Sequence, residues 1–439
     1  MKGLYRYLSP FSPDQSGAVA VLYELGGIIV ILDAGGCAGN ICGFDEPRWG
    51  HKQSAVYSAG IRDLDAILGR DERTINKVGG AVEAVGNATF IALIGTPVPA
   101  VVGTDLKALA RMCETKFGLP TLAIETYGME YYDKGAETAY MTLLRALESG
   151  QLDASFEALG LHVPSKVAAS RKAAMEALGN GALPDGNVGC VGVLGATPLD
   201  LLSLDGAARI REEVARYYSH QNVFAEAAEN DRNVPKGFAF DLARQQSAPD
   251  VYVFGMDSGF GDLPHLFTVD RNIVISPAGL APARHLAAQY GIPYDVEYPL
   301  HFSFTEKLHD RLGGGKRVLI LHQQVAANTL RQNLRDHADA LREMDLLMGT
   351  PEEQLPAPYE ISVGSFFEMD EDLMEAGDAK FPGEDEFLAY VRDGNFDVIL
   401  GDPMYRMALK WWDGTFLSLP QYSVSGEAHE ALREEDLLK

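Results

Sequence analysis

Short runs of apolar residues recur along this chain, separated by longer amphipathic stretches. Ile28 to Leu32, Ala88 to Ile94, Pro120 to Ile124, Val188 to Leu194, Val251 to Phe254, Asn272 to Ile275, Arg317 to Leu321 and Asp397 to Leu400 each read as a strand buried on both faces. Between them, Asp105 to Phe117 sets Leu106, Leu109, Ala110, Cys113 and Phe117 on one face at i, i+3, i+4 spacing, which predicts a helix. Thr104 is the expected cap of that helix, with Asp105 in its first turn. Continuous apolar strands alternating with helices predict an α/β protein built from parallel sheets covered on both faces. Glycine-rich breaks at Gly179 to Gly186 and Leu312 to Arg317 divide the pattern into three Rossmann-like domains around a central cleft. Their bounds are residues 1–185, 186–312 and 313–420, followed by an acidic, helical tail over 421–439.

The 439 residues exceed what one core serves, in keeping with several domains. Hydrophobic residues make up 46% and charged residues 23%, ordinary for a globular protein. No run approaches the ~18 uncharged apolar residues of a membrane span. The opening Met1 to Pro13 has neither the apolar core nor the cleavage site of a signal peptide, so a cytoplasmic location is expected. A formal charge of −25 argues against nucleic acid and anionic lipid as partners, because both are bound through phosphate neutralisation. Most of that acidity serves solubility.

Four cysteines cannot make the disulfide framework of a secreted scaffold, and two of them lie close together in Asp33-Ala-Gly-Gly-Cys-Ala-Gly-Asn-Ile-Cys42, directly after the first strand. Ligands of parallel α/β sheets sit beyond the carboxyl ends of strands. Gly35, Gly36 and Gly39 can present backbone N–H groups there, to phosphate or to cluster sulfurs. No G-x-G-x-x-G or G-x-x-x-x-G-K-[ST] follows a strand, which weakens the phosphate reading. Cys37-x4-Cys42 has the spacing of one leg of an iron–sulfur pattern. Cys113, on an apolar helix face, and Cys190, inside a strand, read as core. Two cysteines from each of two chains on a two-fold axis make the four thiolates of a shared [4Fe–4S] cluster. His301 and His322 are candidate proton donors at the inter-domain cleft, although histidines at strand ends are more often surface or hydrogen-bonded core residues. Asp63 and Asp65 fall on different helix faces, Trp411 and Trp412 read as packing residues, and Glu125 to Asp133 is placed at the first domain's ligand edge.

The order of these motifs resembles the nitrogenase component 1 family, whose relatives include dark-operative protochlorophyllide reductase and the nickel-tetrapyrrole reductase. Gly36-Cys37 is similar to the end of the family's "HGPxGC" loop. Ile61 to Arg70, with Ile75 and Val78, is similar to "TExDxVFGGxxKL", and Phe90 to Leu106 to the segment ending in "IIGDD". "LAIETYGMEYYDKG" matches the strand and glycine that follow. Val188 to Asp200 and Arg317 to Asn333 look like the opening strands of the second and third domains, and "FDVILGDPMYRMALK" like the late "DLLIG" strand. The resemblance implies three α/β domains, a dimer of identical or paralogous chains, an interface iron–sulfur cluster, an ATP-dependent iron protein as electron donor and a small-molecule substrate. The departures are as informative. The family pattern has three cluster cysteines, but residues 1–36 here contain none and Pro97 takes the third position. Only Cys37 carries over, and Cys42 is an addition. That argues against an eight-iron cluster, and no cysteine after Cys190 corresponds to the anchor of the catalytic cofactor, which argues against dinitrogen reduction. The expectation is an oxidoreductase with one [4Fe–4S] cluster on Cys37 and Cys42 of two chains. The alternatives are a scaffold for a metallocofactor or tetrapyrrole, or a cluster-free small-molecule binding protein.

Overall fold

A computed structural model describes residues 5–69, 71–177, 188–200, 207–218, 248–300, 302–312, 315–355 and 357–426. Residues 427–439 of the expected tail, His301, the whole Gly179–Gly186 break and residues 313–314 of the second break lie outside the described residues.

Thirteen strands among the described residues form three all-parallel sheets. The first contains β1 (Ile28–Ile31), β2 (Val56–Ser58), β3 (Ile91–Ile94) and β4 (Thr121–Ile124), in the order β2-β1-β3-β4. The second repeats this plan with β5 (Cys190–Leu194), β6 (Asp250–Val253), β7 (Arg271–Val274) and β8 (Tyr294–Val296), as β6-β5-β7-β8. The third has β9 (Arg317–Leu321), β10 (Glu360–Ser365), β11 (Ala379–Lys380), β12 (Val398–Gly401) and β13 (Thr415–Ser418), as β11-β10-β9-β12-β13. This is the α/β, Rossmann-like arrangement expected from the alternation of apolar strands and helices. In each sheet the order reverses beside the first strand, so a crevice opens between the loops that follow β1 and β3, β5 and β7, and β9 and β12. β2, β8, β10, β11 and β13 had no counterpart in the hydrophobic pattern. β2, β8, β11 and β13 are short or only partly buried edge strands that pairing with an inner strand forms more than their own sequence does, while β10 is a longer, mostly buried strand whose apolar run is broken by Ser362 and Gly364.

The helix Asp14–Leu22 is buried along its whole length and lies against Tyr132–Ser149. Two glycines set that distance. A Cβ at Gly17 would stand 1.7 Å from the Tyr132 carbonyl oxygen, and one at Gly135 the same 1.7 Å from that of Asp14. Close backbone approach therefore requires glycine on both helices. The same Tyr132 helix packs its other residues, Tyr140, Leu143 and Leu147, into a core shared by the first and second sheets. No helix among the described residues is long and apolar enough to cross a membrane.

Local details correct three expectations. Asp105, not Thr104, caps Leu106–Phe117, its carboxylate accepting from the Ala108 N–H at 2.8 Å. Cys190 opens β5 at the sheet's amino edge and is only partly buried, because the strand starts two residues later than its apolar run. Trp411 is half-exposed and lies against the Arg392 guanidinium, 5.3 Å from the ring centroid, while Trp412 packs against the third-sheet core.

Candidate functional site

Beyond β1 the chain does not form the open glycine loop its composition suggests. Gly35 turns at φ 114°, and Gly36–Asn40 is a short helix that runs into a π-helical turn, Ile41–Asp45. π-turns inside helices are often found at functional sites. Buried carboxylates build this segment. Asp33 accepts from the Ala38 N–H at 2.8 Å and from the Ser58 hydroxyl at 2.5 Å, tying the helix start to the end of β2. Asp45 takes hydrogen bonds from Ser12 (3.0 Å), Ser16 (2.6 Å) and Asn40 (2.7 Å). Glu46 holds Arg48 through two nitrogens at 2.7 and 2.8 Å, and Arg48 in turn donates to the carbonyls of Ala20 (2.7 Å) and Gly255 (3.2 Å). Arg48 also covers the Tyr23 ring at 4.7 Å. The thiol-bearing segment is thus fastened to the buried first helix and to the second sheet. Of the three amides expected to form a cradle, those of Gly35, Gly36 and Gly39, that of Gly39 donates to the Gly35 carbonyl at 3.1 Å within the helix, and the neighbouring Ala38 amide is taken by Asp33.

Cys37 and Cys42 both ride on this segment and are both partly exposed. Burial, and after it Asp33, pushes the Cys37 thiol above its ordinary range, with the Thr96 hydroxyl pulling the other way. Burial and then Glu46 push Cys42 up as well. Both are neutral thiols at pH 7 in the absence of a metal. Pro97, the first residue of the short helix Pro97–Val102 that follows β3, packs against Gly128: a Cβ at that glycine would lie 2.6 Å from the proline ring. A packing contact fills the position of the family's third cysteine. Cys113 is fully buried, its thiol pushed up to about 11 by burial, and Cys190 sits at the opposite edge of another sheet. Among the described residues no three His, Cys, Asp or Glu side chains are grouped to hold a metal ion.

The rim of this site is apolar. The segments after the four strands of the first sheet expose Phe44 (66%), Ile67 (76%), Val101 (88%) and Met129 (83%), with Leu64, Leu68 and Tyr127 beside them in sequence. The segment after β4 divides as it proceeds: Tyr127 and Met129 face outward at the ligand edge, whereas Tyr132 and Asp133 are buried. Gly36, Gly39 and Gly43 have nothing within 4 Å of an added Cβ, so the helix presents an open backbone face. Asp65 belongs to structure, accepting from Arg62 N–H at 3.0 Å and pairing with Arg73 at 3.0 Å.

A second constellation, with no motif to announce it, lies where the three sheets meet. The Tyr132 hydroxyl donates to Asp200 at 2.5 Å, Thr197 donates to the other Asp200 oxygen at 2.6 Å, and Gln421 donates to Tyr132 at 3.2 Å. The Asp133 carboxylate accepts from the Glu368 N–H at 2.5 Å. Burial pushes Asp200 up to about 7 and Asp133 up to about 6. His322, directly after β9, is buried beside this junction and pushed down to about 4 by burial, so it is neutral at pH 7 and no proton donor as an imidazolium. The only sequence signal for these groups is an acid one or a few residues beyond a buried strand or at a helix start.

No family profile and no curated protein sequence matches the chain. Solved structures do match, among them two under the titles "Nitrogenase Cp1 at pH 6.5" and "Nitrogenase Cp1 at pH 5". Each is 11% identical, with TM-scores of 0.53 and 0.51. The alignments span 100% of this chain and 92% and 88% of those chains. Over its full length, therefore, this chain has a nitrogenase component 1-like fold.

Proposed function

We propose that the chain is a redox protein of the nitrogenase component 1 type. In this reading Cys37 and Cys42 of two copies hold one [4Fe–4S] cluster, electrons arrive from an ATP-dependent iron protein, and the substrate is a small molecule other than dinitrogen. The observation that carries it is the placement of both thiols, partly exposed, on one well-anchored segment, Cys37 in the short helix and Cys42 in the π-turn, at the carboxyl edge of the first sheet, where exposed apolar side chains follow every strand. An exposed apolar rim of this kind suits burial against a second copy. One chain supplies two ligands and two chains supply the four a cubane takes. Such a cluster contributes one-electron transfer. The protein's own part is to fix the thiols through Asp45, Glu46 and Arg48, and to place the buried Asp33 and Glu46 carboxylates beside them. Negative charge next to the ligands disfavours an added electron and so supports a low potential. The same carboxylates favour a second reading, a scaffold that holds a metal group loosely and passes it on, because they also oppose thiolate formation.

Anaerobic purification tests both. The shared cluster predicts about two irons and two sulfides per chain, lost in Cys37→Ser and in Cys42→Ser. A cluster that does not turn over with an iron protein, ATP and candidate substrates supports the scaffold. A colourless protein without iron or sulfide, unchanged by either substitution, removes both.

A further inference from the structure

At the carboxyl edge of the third sheet, where a parallel sheet binds ligands, the space is filled by the chain's own Phe11. Phe366 and Phe367 follow β10, and Tyr405 follows β12. The Phe11 ring centroid lies 5.0 Å from Phe366, 5.6 Å from Phe367, 5.7 Å from Tyr131 and 6.2 Å from Tyr405, tilted or edge-on to each. These are the distances and angles a bound aromatic ring prefers. The segment that delivers it, residues 5–11, has no regular secondary structure, and only Leu8 and Phe11 of it are buried. Its polar holds are the Tyr5 hydroxyl, bonded to that of Tyr131 at 2.7 Å, the exposed Arg6–Asp385 ion pair, and one buried carboxylate. Glu384, itself buried, accepts from the backbone N–H groups of Arg6 (3.1 Å), Tyr7 (2.9 Å) and Leu8 (3.0 Å). That carboxylate opens the helix Glu384–Gly394, where the dipole favours negative charge whether or not the amides are present. Pro10 has no N–H to leave unsatisfied when the segment lifts. At its root, Ser12 bonds Asp45 on the thiol-bearing segment.

We propose that residues 5–11 are a displaceable strap over a guest site, and that the site takes a small, flat aromatic molecule in place of the Phe11 ring. The proposal rests on the redox reading only for what becomes of the guest; opening and binding stand apart from iron.

The test uses full-length, metal-free protein and indole as the probe. In the wild type, the amides of Arg6, Tyr7 and Leu8 exchange with solvent about 100-fold faster than those of Val318 to Leu321, because the strap opens without global unfolding. Phe11→Ala then binds indole about 100-fold more tightly than wild type, the closed-to-open ratio having been removed. Indole accelerates tryptic cleavage after Arg6 in the wild type in a dose-dependent way. The proposal is overturned if the strap amides exchange only together with β9, if a folded Phe11→Ala binds no indole, or if cleavage after Arg6 is unchanged up to the solubility limit of indole. The exchange and cleavage measurements decide the matter should Phe11→Ala fail to fold. None of these readouts depends on a cluster, so a negative result here and a negative iron assay are separate findings.

Discussion

Replacing Asp200 by asparagine preserves the side chain's shape and keeps an acceptor for the Tyr132 hydroxyl, while removing the group that titrates. Thr197 can turn its hydroxyl to accept from the new amide. The wild-type carboxyl is pushed up from its ordinary 3.8 to about 7, first by burial and last by Asp133, with Thr197 and Tyr132 opposing. A carboxyl raised in this way binds its proton more tightly when folded. Its contribution to stability is complete below pH 4 and is lost as the pH rises through 7. Integrating between the two values, the loss from pH 5 to pH 8 is roughly 2.5 kcal/mol for this one group. Urea unfolding of wild type and Asp200→Asn at pH 5, 6, 7 and 8, followed by tryptophan fluorescence, isolates the effect, since other titrating groups are common to both. The stability difference should move in favour of the variant as pH rises, most steeply between 5 and 7. Parallel pH profiles would refute the argument that a buried carboxyl at this junction is held partly protonated.

Three further outcomes follow from the packing and the thiol site. Gly17→Ala drives a Cβ to 1.7 Å from a backbone oxygen and should destabilise by about 3 kcal/mol in urea unfolding, whereas Gly80→Ala, in open space on a helix, should stabilise by about 0.5–1 kcal/mol. Arg48→Met leaves Glu46 buried without its cation and should cost about 3–5 kcal/mol, with faster alkylation of Cys42 as its segment loosens. In metal-free protein Cys37 and Cys42 should react with iodoacetamide more slowly than a free cysteine at pH 7.5 and gain rate as the pH climbs past 9. Asp33→Asn should speed Cys37 selectively, as measured by mass spectrometry of the alkylated peptides.

The sequence by itself determined the α/β class, eight strands, the Leu106–Phe117 helix and the place of the thiol pair, because apolar periodicity and residue order along one strand are local properties. Other features were decided only by tertiary structure. The peripheral strands β2, β8, β11 and β13, and β10 with Ser362 and Gly364 interrupting its apolar run, form because an inner strand pairs with them. The glycine-rich stretch became a helix with the Asp33 carboxylate taking the Ala38 N–H of its first turn and Asp45 holding the Asn40 side chain at its other end. Pro97, after β3, closes against Gly128, after β4. The Tyr132–Asp200 and Asp133–Glu368 bonds join residues 68 and 235 positions apart. Such partners leave no periodic trace in a chain: a buried acid is recognised only once folding has removed its water and supplied the donors that keep it.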